Sequence, residues 1–210
     1  MVETDRRRLR GERARALVLD HSIAVASTGG LESLSIGQVA AQAGVAKGNI
    51  QVLFGNKESL QMATLEGAIG LYHRTVVDPA MALAAPAARL ERLVEAWFDF
   101  VEQRILPGGC FINAVSSEYR AKPGRVRDRI NEHRAKIRER FAALIHSGQQ
   151  EGEFRKDLDK DQLVFELVAF QAAANVAALM GDDDEFALAR SASLNRIRAA
   201  RNALHPPSGG

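Results

Sequence analysis

A chain of 210 residues, 46% hydrophobic and 26% charged, is long enough to bury a substantial core and has the balance of a globular protein. Its single cysteine, Cys110, excludes a disulfide within the chain, and a formal net charge of +2 is too small to name a polyanionic partner by itself. The first fifteen residues are crowded with charge and unlike a secretory leader, so the expected location is the cytoplasm.

Alanine, leucine, arginine and glutamate are abundant, while β-branched runs and Asn-Gly turns are scarce. The expected fold is therefore all-α, with about nine helices. A first helix over 5–26 carries Leu9, Leu17, Ala24 and Val25 at helical spacing, and Thr28-Gly29-Gly30 ends it. Its start is basic: Arg6, Arg7, Arg8, Arg10, Arg13 and Arg15 stand against Glu3, Asp5 and Glu12. Such an arm suits a polyanion, and equally a solvated helix face. Ser35 is a good N-cap for a short helix over 36–43, which Gly44 stops. Another short helix, 47–53, follows at once, and Gly55-Asn56 separates it from a longer one over 57–77. Asp78-Pro79 and the Ala/Pro-rich stretch to Pro86 read as a connection. Further helices are expected over 87–105, 110–120, 123–150, 160–180 and 182–203, with a disordered tail over 205–210. The apolar run from Leu163 to Met180 carries Glu166, Gln171 and Asn175 and reads as a buried or interface helix, short for a membrane span. The domains expected are 1–58, containing a helix-turn-helix over about 35–54, and a larger bundle over 59–204.

The two short helices carry the functional signal. With Ile50 turned inward, Ala46, Leu53 and Phe54 share its side and pack on Ile36, Val39 and Ala40 of the preceding helix. Gly48, Gln51 and Val52 then point away, with Lys47 and Asn49 on the flanks. This is the helix-turn-helix pattern, whose second helix enters the major groove. Amides at Asn49 and Gln51 suit base edges, Val52 suits a thymine methyl, and Gly48 allows close approach. Lys47 and Lys57 can neutralise phosphates, Lys57 at a helix N-terminus that itself attracts anions, and Ser35 and Gln38 are further phosphate anchors. Arg6, Arg7 and Arg8 extend the same basic surface.

The run "LSIGQVAAQAGVAKGNIQVLFGNKESLQMATLE" closely resembles the DNA-binding region of the tetracycline-repressor (TetR/AcrR-type) family of bacterial transcriptional regulators. The likeness covers the basic first helix, the Ala-Gly-Val turn, the Lys-Gly pair, the closing Phe and the Asn-Lys-Glu-Ser-Leu start of the fourth helix. The segments "PGGCFINAVSSEYRAKPGRVRD" and "QEGEFRKDLDKDQLVFELVAF" look like ligand-domain segments of some members. Gln51 stands where many members have an aromatic residue, and Leu53 where they often have a histidine. The family's phosphate role thus carries over to Lys57 and less firmly to Gln51. The resemblance implies a homodimeric repressor, released from operator DNA when a small, largely apolar molecule fills the C-terminal bundle. The effector is unknown.

The large aromatics of the bundle, set among small residues, suit an apolar cavity, which the resemblance makes a ligand pocket. Trp97, Phe100, Val101, Cys110, Phe111, Ala114 and Phe141 are its candidate lining, with Gln171 and Asn175 as polar groups. A dimer interface is expected because a single reading helix makes too few contacts and two must lie about 34–36 Å apart on DNA. Its candidates are Leu163, Leu167, Phe170, Ala174 and Ala178 on one long helix and Leu194 and Ile197 on the last, although the same stripe also suits an internal core. The basic stretch from Arg120 to Arg140 reads as surface pairing over a core-facing Val126, Ile130, Ile137, Phe141 and Ile145. Cys110 reads better as a structural thiol than as a redox sensor, since no activating neighbour is visible.

Nothing points to catalysis. The five histidines lack metal-ligand spacing, and no phosphate loop or nucleophile elbow appears, so no metal, cofactor or membrane partner is expected. The alternative to a regulator is a helical interaction or scaffold protein whose short helices only form a corner.

Overall fold

The computed structural model describes residues 2–202, with side chains from residue 9 onward. Among the described residues the chain forms α1 (Val2–Gly29), a 3₁₀ turn (Leu31–Ser33), α2 (Ile36–Gln42), α3 (Lys47–Phe54), α4 (Lys57–Tyr72), a π turn (His73–Val77) and α5 (Asp78–Met81). Then follow α6 (Pro86–Glu102), α7 (Phe111–Glu118), α8 (Arg125–Gln150), α9 (Lys160–Met180) and α10 (Asp183–Ala200). The fold is all-α; the described residues hold no strand, only an isolated bridge between Phe154 and Arg201. The expected tail over 205–210 lies outside the described residues. The connection expected after Val77 is instead helical, through the π turn into α5. Pro79 lies in the first turn of α5, directly after the π turn, where its fixed φ is compatible with a helix.

By packing, the described chain divides into two compact units. One runs up to Leu71 and takes in Leu106–Asp128; the other joins Tyr72–Ile105 to the residues from Arg129 onward. In the first, α1 packs on the 3₁₀ turn, α2, α3 and α7. Its core includes Val18, Ile23, Ala26, Leu31, Leu34, Val39, Ile50, Leu60 and Leu65. Leu9 and Leu17, expected to face this core, are 44% and 45% exposed. The buried stripe of α1 is Val18, Ser22, Ile23, Ala26 and Ser27, and the two hydroxyls donate to the carbonyls of Val18 and Ala24.

In the second unit α6 packs on α5, the π turn, α9 and α10. Phe98 meets Trp97 and Phe186 edge-on, at ring separations of 5.0 and 5.5 Å. Arg190 of α10 pairs with Asp99 and Glu102 of α6, and Arg196 of α10 with Glu166 of α9. Asp182 caps α10, accepting from the Glu185 N–H at 2.9 Å, which accounts for the first of the acidic residues after Gly181. On α8, Ile130, Phe141 and Ile145 are buried while Glu132 pairs with Arg129 and Lys136 at the surface.

α9 is long and apolar enough, by length and composition, to cross a membrane, so the expectation that it is too short fails. Its inner stripe is nevertheless core: Leu163, Leu167 and Ala174 are fully buried, with Gln171 and Asn175 among them. Of the candidates for a partner contact, Leu163, Leu167 and Ala174 of α9 and Ile197 of α10 are fully buried within the chain itself, which fits the internal-core reading of this stripe. Phe170, Ala178 and Leu194 are half-buried. The open apolar face is a different one. Phe165 is 72% exposed, Val176 60%, Met180 79% and Leu188 of α10 67%. Phe165, Ala169, Ala172 and Val176 follow one another at three- and four-residue steps, so they form a continuous stripe along α9.

Candidate nucleic-acid interface

Local chemistry builds the α2–turn–α3 unit. Ser35 is extended and its Oγ accepts from the Gln38 N–H at 3.1 Å, satisfying a donor that the helix start leaves open. At the other end the Val45 N–H donates to the Ala40 carbonyl at 2.9 Å, and Gly44 adopts φ +64°, a conformation costly for a side chain with a β-carbon. The chain thereby reverses within three residues. α2 then packs on α3, with Val39, Ala40, Ile50 and Phe54 buried. Ala46, expected inside, is exposed as the residue before the first turn of α3, and Ile36 and Leu53 are half-buried.

The opposite face is open. Ser35, Gln38, Lys47, Gly48, Asn49, Gln51, Val52 and Lys57 are all exposed, Val52 to 87%. A β-carbon on Gly48 would meet nothing within 4 Å, so no neighbour inside the protomer requires a glycine there. A β-carbon on Gly37 would instead meet the Lys47 side chain, which lies across it. The surface therefore presents amides, a hydroxyl, an apolar tip and cations on a stiff two-helix support, as base edges and phosphates require. Arg6, Arg7 and Arg8 lie in α1, but their side chains fall outside the described ones.

Lys57 is not a bare cation. Its Nζ donates to the Glu32 carbonyl at 2.7 Å and lies 3.5 Å from the Glu32 carboxylate. Behind it, Asn56 caps α4 by accepting from the Ser59 N–H at 2.9 Å.

One support was missed from the sequence. Arg15 of α1 donates from Nη1 to the Leu53 carbonyl at 2.8 Å, and its guanidinium lies 4.5 Å from the centre of the Phe54 ring. A cation at the end of α3 satisfies an open carbonyl and complements the helix dipole. The partners are 38 positions apart, so helical spacing gives no hint of the pairing. Arg15→Met should lower unfolding free energy by about 1 kcal/mol in a denaturant titration; an unchanged midpoint would mean the contact contributes nothing.

The residues proposed for a ligand pocket fall in both units. Trp97, Phe100, Val101, Phe141, Gln171 and Asn175 belong to the second and are all buried. Cys110, Phe111 and Ala114 belong to the first, with Phe111 buried and the other two half-buried. The Gln171 Nε2 is buried without a hydrogen-bond partner among the described residues. No group of three or more His, Cys, Asp or Glu side chains that could hold a metal occurs among the described residues.

Residues 18–63 match the family model described as bacterial regulatory proteins, tetR family, and residues 86–193 the one described as tetracyclin repressor-like, C-terminal domain. No curated protein matches the chain. Among solved structures, a TetR transcriptional regulator from Chloroflexus aurantiacus is similar, with a TM-score of 0.81 at 21% identity over 91% of this chain and 98% of the other. A TetR-family regulator from Cytophaga hutchinsonii reaches 0.80 at 19% identity, covering 91% and 96%. A transcriptional regulator from Saccharomonospora viridis, solved in complex with choline, reaches 0.77 at 21% identity, covering 90% and 98%.

Proposed function

Because the chain belongs to the tetracycline-repressor family of bacterial regulatory proteins, whose members are DNA-binding transcription factors rather than enzymes, we propose that it is a cytoplasmic homodimeric repressor that leaves its operator when a small molecule enters the second unit. The observation that carries this reading is one open face, made by five exposed residues of α3 with Ser35 and Gln38 at the start of α2 and Lys57 at the start of α4, over a buried Ile50–Phe54 anchor. In this reading Asn49, Gln51 and Val52 meet base edges. Ser35, Gln38, Lys47 and Lys57 meet phosphates, and Arg6, Arg7 and Arg8 add to the basic rim. The domain roles follow: DNA reading through the helix-turn-helix at 35–54, effector binding and dimerisation through the later helices. Selecting genomic fragments on the purified protein, then screening small molecules for release of the bound fragment, tests the reading; retention that is salt-sensitive but indifferent to sequence would refute it.

The stripe Phe165–Ala169–Ala172–Val176, with Met180 and Leu188, supports a dimer face on α9 and α10. An apolar patch of this kind left in water marks an interaction site. Each copy would place its reading helix on one turn of the same duplex.

The effector is proposed to lie among Trp97, Phe100, Val101 and Phe141, with Gln171 and Asn175 as its polar guides. A ligand bound in the structure of the Saccharomonospora viridis relative accords with a small-molecule partner. An amide nitrogen buried without a partner costs about 1–3 kcal/mol, a cost that an acceptor oxygen on a ligand would offset. Gln171→Leu is therefore expected to raise the thermal midpoint of the free protein while abolishing release by any molecule found in the screen. A lowered midpoint with intact release would place the effector elsewhere.

A further inference from the structure

The 3₁₀ turn that follows α1 is held by a carboxylate from α7. Glu118, the last residue of that helix, accepts from the Leu31 N–H on Oε2 and from the Glu32 N–H on Oε1, each at 2.8 Å. These donors open the turn, and Gly30 before it supplies no side chain to satisfy them. Their cap comes from 87 and 86 positions downstream. Gly30 has φ +81°, and a β-carbon on it would overlap the Glu118 carboxylate, so glycine both shapes the turn and admits the cap. The same segment is registered a second time. The Gly108 N–H donates to Ser27 Oγ at 3.2 Å, and a β-carbon on Gly108 would overlap the Ser27 carbonyl.

The turn holds groups that bear on DNA. Glu32 accepts from the Tyr119 hydroxyl at 3.0 Å, and Lys122 Nζ lies 3.9 Å from its carboxylate. On the other side the Lys57 ammonium donates to the Glu32 carbonyl at 2.7 Å and faces its carboxylate at 3.5 Å. The Tyr119 hydrogen bond, and then the charges of Lys122 and Lys57, hold the Glu32 carboxyl below its ordinary range against the opposing effect of burial. Burial first, then Glu32, pushes the Tyr119 hydroxyl upward, so it remains the donor. The Gln61 amide of α4 closes the arrangement by donating to the Leu31 carbonyl at 3.0 Å.

We propose that Glu118 is a positioning residue for DNA binding: by fixing the Leu31–Ser33 turn it fixes Glu32, and Glu32 holds the Lys57 ammonium ready for a phosphate. The inference rests on the reading of Lys57 as a phosphate contact. An ammonium has three N–H donors, of which Glu32 occupies up to two and leaves one for DNA. A lysine already fixed loses less rotamer freedom when the duplex arrives. Glu118 touches no DNA in this account and acts only through the turn.

The test is a double-mutant cycle on the full chain, reading affinity for a selected operator duplex over a series of salt concentrations. Lys57→Ala should weaken binding and lower the salt slope by about one. Glu118→Gln should weaken binding about five- to tenfold and lower the slope similarly, because the substitution replaces one of the two accepting oxygens with an NH2 donor that faces an N–H. The double variant should bind no worse than Lys57→Ala alone. Additive losses, an unchanged affinity with only a lower melting temperature, or tighter binding would each overturn the proposal. Glu32→Gln, which spares the Glu118 cap, supplies the same cycle should Glu118→Gln not fold. Lys57→Ala without effect would sink the phosphate reading itself, whereas a clear Lys57→Ala loss combined with additivity sinks only the role of Glu118.

Discussion

Gly48→Val is expected to leave the protein folded, with an unchanged or slightly raised thermal midpoint, and to weaken binding to a selected operator about a hundredfold. The two halves of this result come from different physics. Within the protomer a β-carbon at this position meets nothing within 4 Å, so valine causes no clash. Glycine in a helix costs up to about 1 kcal/mol relative to other residues, which valine partly recovers. On the outside, Gly48 lies one position from Lys47 and Asn49 at the start of α3, all exposed. An isopropyl group there holds the helix away from the duplex and withdraws the amides of Asn49 and Gln51 from base edges, each good base contact contributing about 1–3 kcal/mol of discrimination. Random duplex, bound through charge, should lose much less. Thermal melts beside fluorescence anisotropy on operator and random duplexes provide the check. Equal losses on both duplexes would mean that α3 reads no sequence, and a collapsed melt would mean that Gly48 serves the fold.

Phe165→Asp combined with Val176→Asp is expected to produce folded monomers and to reduce operator affinity about a hundredfold or more. Both side chains are open to solvent, 72% and 60%, so the substitutions remove little from the core of the protomer. On a dimer face they would place four carboxylates in an apolar contact, where truncating one central aromatic alone costs about 2 kcal/mol or more. In the proposed dimer, losing the pair would uncouple the two reading heads and leave each with one half-site. Sedimentation equilibrium and operator binding measured on the same preparation check both parts. A variant that remains dimeric would move the interface off the Phe165 stripe. As a control, Leu163→Asp should unfold the protein instead, because Leu163 is fully buried.

The contrast between α3 and α9 marks what the sequence could disclose. α3 is readable because its signals are local: the Ser35 cap, the reversal at Gly44 and the Gly55 stop lie within about twenty residues, and of the expected inward set Val39, Ala40, Ile50 and Phe54 are buried, while Ile36 and Leu53 are half-buried and Ala46 is exposed. α9 is apolar nearly all round, so a helical wheel offers several equivalent stripes and cannot say which one the protomer consumes. The spacing of Leu163, Leu167 and Ala174 suits a partner contact and an internal core alike; in the structure that face is core, and Phe165, Ala169, Ala172 and Val176 are left outside. The supports of the reading head were hidden for another reason. Arg15 reaches Leu53 across 38 positions and Glu118 reaches Leu31 across 87, and no local periodicity encodes a polar contact of that span. The division of the chain was equally nonlocal. A boundary near 58 suits the end of the helix-turn-helix, but compact packing carries the first unit to Leu71 and adds Leu106–Asp128. α7 therefore folds with the reading head, a placement that its own eight residues do not announce.

The central claim is that the exposed face of α3 reads base sequence. Its most direct test is the affinity of the wild-type protein for a selected genomic duplex and for a random duplex of equal length and composition, at a salt concentration near 150 mM. The account predicts binding at least about a thousandfold tighter to the selected duplex, with protection of two half-sites about one helical turn apart. Equal affinity for the two duplexes, falling in parallel as salt rises, would contradict it.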